Sequence, residues 1–154
     1  MSAYKFKSVG KTASTIESEA IFATITPVGI KTPLSLDDKN IFAMHYSVAD
    51  QAHDNLKNLL LTNWGERLGL YDFGANLKEL TSEYTNIDSF DEEAITRIRN
   101  AVTKWMPFIS LKNFASSIDR EQNQHVAILK ITITYDIPSL SVRDKAIQIS
   151  MYVT

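Results

Sequence analysis

Apolar residues follow two different spacings along this chain, and each spacing predicts a different kind of element. In the middle of the chain they recur at helical intervals, and after Pro107 they alternate with polar residues as in a half-buried strand. The first predicted helix spans about Val48 to Thr62, and its apolar face consists of Ala52, Leu56, Leu59 and Leu60. The second predicted helix runs from Phe90 to about Trp105. It has Ser89 as its N-cap and ends because Pro107 cannot continue it.

Three stretches after Pro107 have the alternation of strands: "ISLKNFASSI", "HVAILKITITYDI" and "KAIQISMYV". The polar turns between them are short, so neighbouring strands should be antiparallel. We therefore predict an α+β fold, in which two main helices pack on a C-terminal three-stranded antiparallel meander. Short N-terminal strands are predicted in "EAIFATITPVGI", which ends in a turn at Pro27 and Gly29, and in "IFAMHYS" after a polar loop.

Length and composition narrow the class of protein. With 154 residues, the chain is expected to form one domain over residues 19–154, after a flexible N-terminal arm over residues 1–18. The net charge of −2 disfavours nucleic acid as a main partner. There are no cysteines, which excludes disulfides and thiolate metal sites. No signal peptide or membrane span is recognised, so we expect no membrane association and assembly in the cytoplasm.

The chain offers few candidates for catalysis or for cofactor binding. No phosphate or dinucleotide loop is present, and metal-clamp spacing is missing among the histidines His45, His53 and His125. We therefore expect no metal and no cofactor. Glu66 and Asp72 flank the turn "GERLGLYDF" and are the candidate acids of a peptidoglycan-cleaving glycosidase. That alternative is disfavoured, because Arg67 beside Glu66 favours its ionised form whereas a general acid must stay protonated.

The predicted sheet leaves its last strand at an edge. This strand runs almost to the last residue, and no helix follows it in the sequence. An uncovered edge presents unpaired backbone donors and acceptors, to which an extended segment of a partner can add as a further strand. The sequence leaves open the alternative that Lys145 or the N-terminal strand blocks this edge.

A series of spaced elements begins at the end of the first predicted helix: Leu59-Leu60-Leu61-Thr62, Gly65-Glu66-Arg67 and Phe73-Gly74-Ala75-Asn76-Leu77. In order and spacing it resembles the baseplate wedge and sheath-initiator family of contractile phage tails, over roughly Gly29 to Val153. Relatives of that family occur in type VI secretion baseplates and in other contractile injection machines. Some members have been labelled tail lysozymes, although these residues give that label no support. The resemblance implies a structural protein and no enzyme.

The resemblance also implies a place in the virion and a set of partners. The chain would be a wedge subunit of the tail baseplate that templates the tail sheath, within a large hetero-oligomeric assembly. Its partners would be other wedge subunits and the tail-sheath protein, with tail-tube or hub proteins as further candidates. The corresponding subunit of a type VI secretion or other injection device is the alternative. Sheath arms would pair with the last strand, at Ile147, Ile149, Met151 and Val153. Replacing Ile149 with proline would test this pairing.

One departure from the family lies after the long helix. Many members carry Glu-Pro-Arg there, which docks on a helical bundle of other wedge subunits, whereas this chain has Met106-Pro107-Phe108. We expect Trp105 to close the core and Phe108 to contact a partner through an apolar patch. The candidate partner-binding residues are Gly65, Glu66, Arg67, Phe73, Gly74, Trp105, Met106, Pro107 and Phe108.

The turn at Gly65-Glu66-Arg67 is expected to be rigid. Gly65 would adopt a backbone conformation that a Cβ hinders. Glu66 and Arg67 are expected to form a fixed ion pair or a docking contact. The planar guanidinium of Arg67 should hold the turn to a nearby carboxylate or backbone carbonyl.

Overall fold

A computed structural model of the chain describes residues 26–38, 41–83, 87–120 and 127–153. The chain divides into two compact units, residues 1–47 and residues 48–154. The predicted N-terminal arm, residues 1–18, and the predicted start of the domain at residue 19 both lie outside the described residues.

The first unit contains a short two-stranded antiparallel sheet. Strand β1 (Gly29–Ile30) pairs with β2 (Met44–His45), and the Val28 N–H extends the pairing by donating to the His45 carbonyl at 2.8 Å. The strand predicted in "IFAMHYS" is therefore confirmed. The turn predicted at Gly29 is wrong, because Gly29 lies within β1 opposite His45. Most of the strand predicted before Pro27 lies outside the described residues.

Three helices belong to the second unit: α1 (Val48–Leu61), α2 (Leu77–Glu83) and α3 (Ile87–Trp105). The two main helices are confirmed, and the four apolar residues predicted to face the core in α1 are all buried. Helix α3 starts earlier than predicted, so Ser89 lies inside it and is not its N-cap. Helix α2 was not predicted, because seven residues are too few for a helical period to emerge, and it is stabilised instead by burial of Leu77 and Leu80.

Strands β3 (Ser110–Arg120), β4 (Ala127–Ile137) and β5 (Val142–Val153) form an antiparallel sheet in the order β3-β4-β5. The predicted meander is thus confirmed. Strand β5 begins three residues before the predicted Lys145, because a bulge with Asp144 at φ 52° accommodates an extra residue opposite β4. A single turn of 3-10 helix, Pro138–Leu140, connects β4 to β5.

One lysine links all three strands at this end of the sheet. Lys112 stands at a register shift in β3, and its Nζ lies 2.8 Å from Asp136 Oδ2 of β4 and 2.7 Å from Asp144 Oδ1 of β5. The Asp144 N–H in turn donates to Asp136 Oδ1 at 2.7 Å. The hydrogen bond from Lys112 lowers the pKa of Asp136. These contacts hold the bulged start of β5 in place.

The core lies between the helices and one face of the sheet. Helices α1 and α2 pack against β5, and α3 packs against β3. Alternate residues of the two C-terminal strands point toward the helices, as the two-residue period predicts. The buried residues of this face are Leu129, Ile131, Ile133, Tyr135, Ile137, Ile147 and Ile149.

A partly buried hydrogen bond joins α1 to the middle strand of the sheet. His53 Nδ1 lies 2.6 Å from the Tyr135 hydroxyl, and the two rings are stacked with their centroids 6.1 Å apart. Burial lowers the pKa of His53 from its usual value, with the positive charge of Lys145 acting in the same direction. Burial also raises the pKa of Tyr135 to about 12, so both side chains are neutral near pH 7.

We expect this pair to make stability depend on pH below neutrality. The pKa of His53 is lower in the folded than in the unfolded chain, so the unfolded chain binds the proton first as pH falls below 6.5. The contribution of a neutral His53 is therefore complete above pH 6.5 and is lost as pH falls through the folded pKa. Denaturant unfolding between pH 7.5 and 5 should show this loss, and His53→Gln should flatten the profile over that window. An unchanged profile in the variant would contradict the assignment.

Candidate partner-binding site

The segment between α1 and α2, residues 62–76, is a closed loop that we call the connecting loop. Its far end returns to the C-terminus of α1. The Ala75 N–H donates to the carbonyl of Leu59 in the last turn at 3.2 Å, and the Asn76 N–H donates to the carbonyl of Thr62, the residue after the helix, at 3.3 Å. These bonds satisfy carbonyl groups that have no partner within the helix. The connecting loop is therefore anchored at both ends on α1.

Two glycines give the connecting loop its path. Gly65 has φ +82°, which confirms that it adopts a conformation a side chain would disfavour. Its N–H donates to the Tyr71 carbonyl at 2.7 Å and closes the inner turn. Gly74 has φ +116° and passes so close to α1 that a Cβ there would lie 2.7 Å from the carbonyl carbon of Thr62. Gly74 thus permits a close approach of backbone to backbone.

Glu66 and Arg67 do not form the predicted ion pair with each other in the described contacts, and the alternative of a docking contact stays a prediction. The Glu66 carboxylate accepts hydrogen bonds from the Asn63 backbone N–H at 2.7 Å and from the Asn63 side-chain amide at 2.8 Å, and the backbone bond is the main cause of its lowered pKa. The Arg67 guanidinium lies over the Phe73 ring, with Cζ 4.2 Å from the centroid. Arg67 was expected to hold the turn to a carboxylate or a backbone carbonyl. In the described contacts this expectation is wrong, because the guanidinium contacts the Phe73 ring instead.

Packing of Phe73 against Trp105 brings the connecting loop to the end of α3. Their ring centroids are 5.2 Å apart in an edge-to-face arrangement, and both rings are partly buried against the core. Met106, the residue after Trp105, is buried, whereas Phe108 is 47% exposed. Trp105 therefore closes the core as expected, and Phe108 remains available for contact.

These residues surround one cleft of about 590 Å³ beside the C-terminal half of α1. Six of the nine residues that the sequence singled out as partner-binding line it, together with two asparagines of α1 and Thr62 of the connecting loop. Gly65, Gly74 and Pro107 are not among the lining residues, although Gly65 and Gly74 shape the loop that forms one wall. The cleft is lined by Asn55, Asn58, Thr62, Glu66, Arg67, Phe73, Trp105, Met106 and Phe108.

The two acids of the glycosidase alternative do not share a cleft. Glu66 lines the cleft just described, while Asp72 lines a separate cavity of about 280 Å³ between the connecting loop and α3. Asp72 is ion-paired with Lys104, whose hydrogen bond is the main cause of the lowered pKa of Asp72. Both carboxyl groups are therefore held in the ionised form, and neither has the raised pKa of a general acid.

Asn76 and Arg97, which the sequence did not predict as contacts, hold the end of the connecting loop against α3. Asn76 is buried with φ 50°, and its side chain contacts Glu79 and the Trp64 N–H. Arg97 of α3 donates to the Asn76 carbonyl at 3.0 Å and pairs with Glu79 at 3.2 Å. The conformation of Asn76 could have been predicted from the sequence, because an asparagine after "FGA" favours the left-handed conformation. The contact of Arg97 could not, because it depends on the packing of α3 and not on a local pattern.

We expect Arg97→Met to lower the free energy of unfolding by about 2 kcal/mol, because a partly buried charged donor to Asn76 and Glu79 is lost. Arg99→Met is the matched control, since Arg99 lies on the same helix and is exposed. It should change the unfolding free energy by less than about 0.5 kcal/mol. Urea unfolding of both variants measures the difference. Equal losses would show that Arg97 does not hold the loop.

The residues of β5 that were predicted to pair with sheath arms differ in burial. Ile147 and Ile149 are buried against the helices, and Met151 is partly buried, so a partner on this strand would meet backbone and not these side chains. Val153 pairs with Ala127 at the end of the strand. Ile149→Pro would also remove core packing, which makes it a poor test of pairing.

Strand β5 is paired on one side only within the described residues, where β4 is its sole neighbour in the sheet. Lys145 does not extend outward from this edge. Its position opposite Tyr135 places it on the helix-covered face, and its Nζ lies 3.0 Å from Asp50 Oδ1 of α1. The alternative that Lys145 blocks the edge is therefore disfavoured.

Two kinds of feature are absent from the described residues. Among them, no helix is both long and apolar enough to cross a membrane. In the same part of the chain, no three acidic or histidine side chains gather where they could hold a metal ion.

This α+β fold is shared with two solved structures, a protein of a prophage baseplate and a candidate tail lysozyme. A protein of the anti-feeding prophage baseplate, seen by cryo-EM, superposes with a TM-score of 0.58 at 20% identity, over 75% of this chain and 87% of that chain. A candidate tail lysozyme from Geobacter sulfurreducens gives 0.52 at 22% identity, over 69% and 89%.

A chain of the type VI secretion baseplate complex gives a TM-score of 0.45 at 17% identity, over 70% of this chain and 94% of that one. No protein-family model matches the sequence, and no curated protein matches it. At these identities the first two comparisons establish the fold alone.

Proposed function

We propose that this chain is a structural subunit of the baseplate wedge of a contractile phage tail and that it templates assembly of the tail sheath. The observation that carries the proposal is the one-sided pairing of β5, which leaves a full-length strand edge open in the described sheet. The shared fold with an anti-feeding prophage baseplate protein supports the same setting. The chain would act in the virion tail, after assembly in the host cytoplasm.

Templating would use backbone pairing. An extended arm of the sheath protein adds to β5 as a fourth strand, and main-chain hydrogen bonds supply the affinity. Because Ile147 and Ile149 stay in the core, the arm does not have to displace any buried side chain. The sheet and helices behind β5 act as a rigid support for the first sheath ring.

Docking into the baseplate would use the cleft between the connecting loop and the end of α3. The lining of the cleft includes the Phe73–Trp105 pair, the exposed Phe108 and the Arg67 guanidinium, and aromatic residues and arginine are enriched at protein interfaces. Other wedge subunits are the expected occupants, with tail-tube or hub proteins as further neighbours. The apolar Met106-Pro107-Phe108 segment then replaces the charged motif of the family.

We expect Phe108→Asp to reduce incorporation of the protein into baseplates by about thirtyfold, which corresponds to the loss of one central interface residue. Val48→Asp is the matched control, because Val48 is also an exposed apolar residue and lies at the opposite end of α1 from the cleft. Quantitative mass spectrometry of purified tails measures the amount of each variant relative to a second baseplate protein. Normal incorporation of Phe108→Asp would exclude the cleft as the docking site.

A second candidate setting is a type VI secretion or other injection device, which would use the same two surfaces. The genes beside this one distinguish the two, since capsid genes indicate a phage and secretion genes indicate the other. A glycosidase is a third candidate and is disfavoured by the separated, ionised carboxylates of Glu66 and Asp72. Peptidoglycan cleavage that disappears in Glu66→Gln would establish it.

A further inference from the structure

A second concave surface lies beside the end of β5. It is a groove of about 250 Å³ that we call the strand-end groove, large enough for one large apolar side chain. Its walls come from the end of α1, from α2 and from the last residues of β5. The lining residues are Leu60, Leu61, Asn63, Leu77, Lys78, Thr81, Met151 and Tyr152.

The lining places the strand-end groove against the unpaired side of β5. Met151 points toward the helices and Tyr152 toward the opposite face, since successive residues of a strand alternate. A groove that touches both residues therefore runs along the side or the end of the strand. No residue of β4 is among its lining residues, so the groove lies away from the paired side. It continues the open edge of β5.

Two polar side chains of the groove, Asn63 and Thr81, are already hydrogen-bonded within the chain. Asn63 accepts a hydrogen bond from the Lys78 N–H at 3.3 Å and donates to Glu66 at 2.8 Å. The Thr81 hydroxyl donates to the Lys78 carbonyl at 2.7 Å. The apolar surface that remains for a partner includes Leu61 and Tyr152, which are 47% and 71% exposed. The Lys78 ammonium adds a positive charge to this surface.

We infer that the strand-end groove is a specificity pocket for the segment that adds to β5, and this inference rests on the proposed function. The segment is an extended arm of the sheath protein. Near the end of its pairing with β5 it carries one large apolar side chain that enters the groove, next to an acidic residue that meets Lys78. Backbone pairing along an edge accepts almost any sequence, so a pocket at the end of the edge supplies the selection that pairing lacks.

The test measures binding of the purified sheath protein from the same particle to the full chain. Leu61→Asp places a charge in the groove, and Thr81→Trp fills it. Each should weaken binding by about tenfold or more. Leu36→Asp is the matched control, because Leu36 is an exposed leucine outside the groove, and it should bind within about twofold of the unchanged chain. Circular dichroism checks that the variants are folded.

The outcomes separate this inference from the proposed function. Ser150→Pro, which changes the edge of β5 outside the groove, serves as the reference variant. If it abolishes sheath binding while both groove variants bind normally, the pocket is excluded and templating stands. If the unchanged chain does not bind the sheath protein, both proposals fail. If the chain instead forms a dimer that Leu61→Asp disrupts, the occupant is a second copy, and the inference is overturned.

Discussion

Replacing Gly74 with alanine should cost about 3 kcal/mol of the free energy of unfolding. Two effects add at this position. A side chain at φ +116° is strained whatever space surrounds it, and the new Cβ would lie 2.7 Å from the carbonyl carbon of Thr62. The two atoms nearest to it are backbone atoms of Thr62, just after α1, which cannot move aside as a flexible side chain would. The connecting loop would have to separate from α1.

Gly65→Ala is the matched control for this prediction. Gly65 also has a positive φ, +82°, but a Cβ there would meet nothing within 4 Å. Only the conformational cost remains, so the loss should be about 1 kcal/mol. Urea unfolding of the two variants separates steric clash from backbone strain. Equal losses would show that the close approach at Gly74 does not contribute.

Ser150→Pro should abolish growth of the sheath while the protein still enters the baseplate. Ser150 faces away from the helices, so the proline disturbs the open edge of β5 without emptying the core. A proline has no N–H to donate and does not fit a paired strand. Phe108 and the cleft are unchanged in this variant, which is why incorporation into the baseplate should persist.

The opposite edge of the sheet supplies the control. Ser117 of β3 and Ser150 of β5 both lie opposite Lys130, so Ser117→Pro places a proline in the same row of the other edge strand. The backbone of Lys130 hydrogen-bonds to only one of its two neighbours, so the folding of each variant is measured separately. Electron microscopy of purified tails measures sheath length, and thermal unfolding checks that both variants are folded. Full-length sheaths on Ser150→Pro tails, or short sheaths on both variants, would exclude β5 as the specific template.

Much of the fold follows from local patterns. The two main helices and the three strands were predictable because each buries one face, and burial imposes a period on the sequence. The short α2 was not predictable, because Leu77 and Leu80 complete too little of a helical period. The early start of β5 was not predictable either, because the bulge at Asp144 depends on Lys112 and Asp136 from other strands.

The candidate site was predictable in parts but not as a whole. The sequence singled out Gly65 to Phe73 and Trp105 to Phe108 as two separate segments. Their meeting in one cleft depends on the packing of Phe73 against Trp105, which no local pattern contains. The same long-range packing explains why Arg67 contacts a ring and why Arg97 could not be recognised in advance.

Amide hydrogen exchange of β5, with and without the sheath protein, tests the central claim most directly. In the free chain, alternate amides from Val142 to Val153 should exchange fast, because β5 is paired only with β4 in the described sheet. On addition of sheath protein those amides should become protected, while the amides of β3 keep their rates. Protection on β3, or unchanged exchange in β5 despite binding, would contradict templating by this strand.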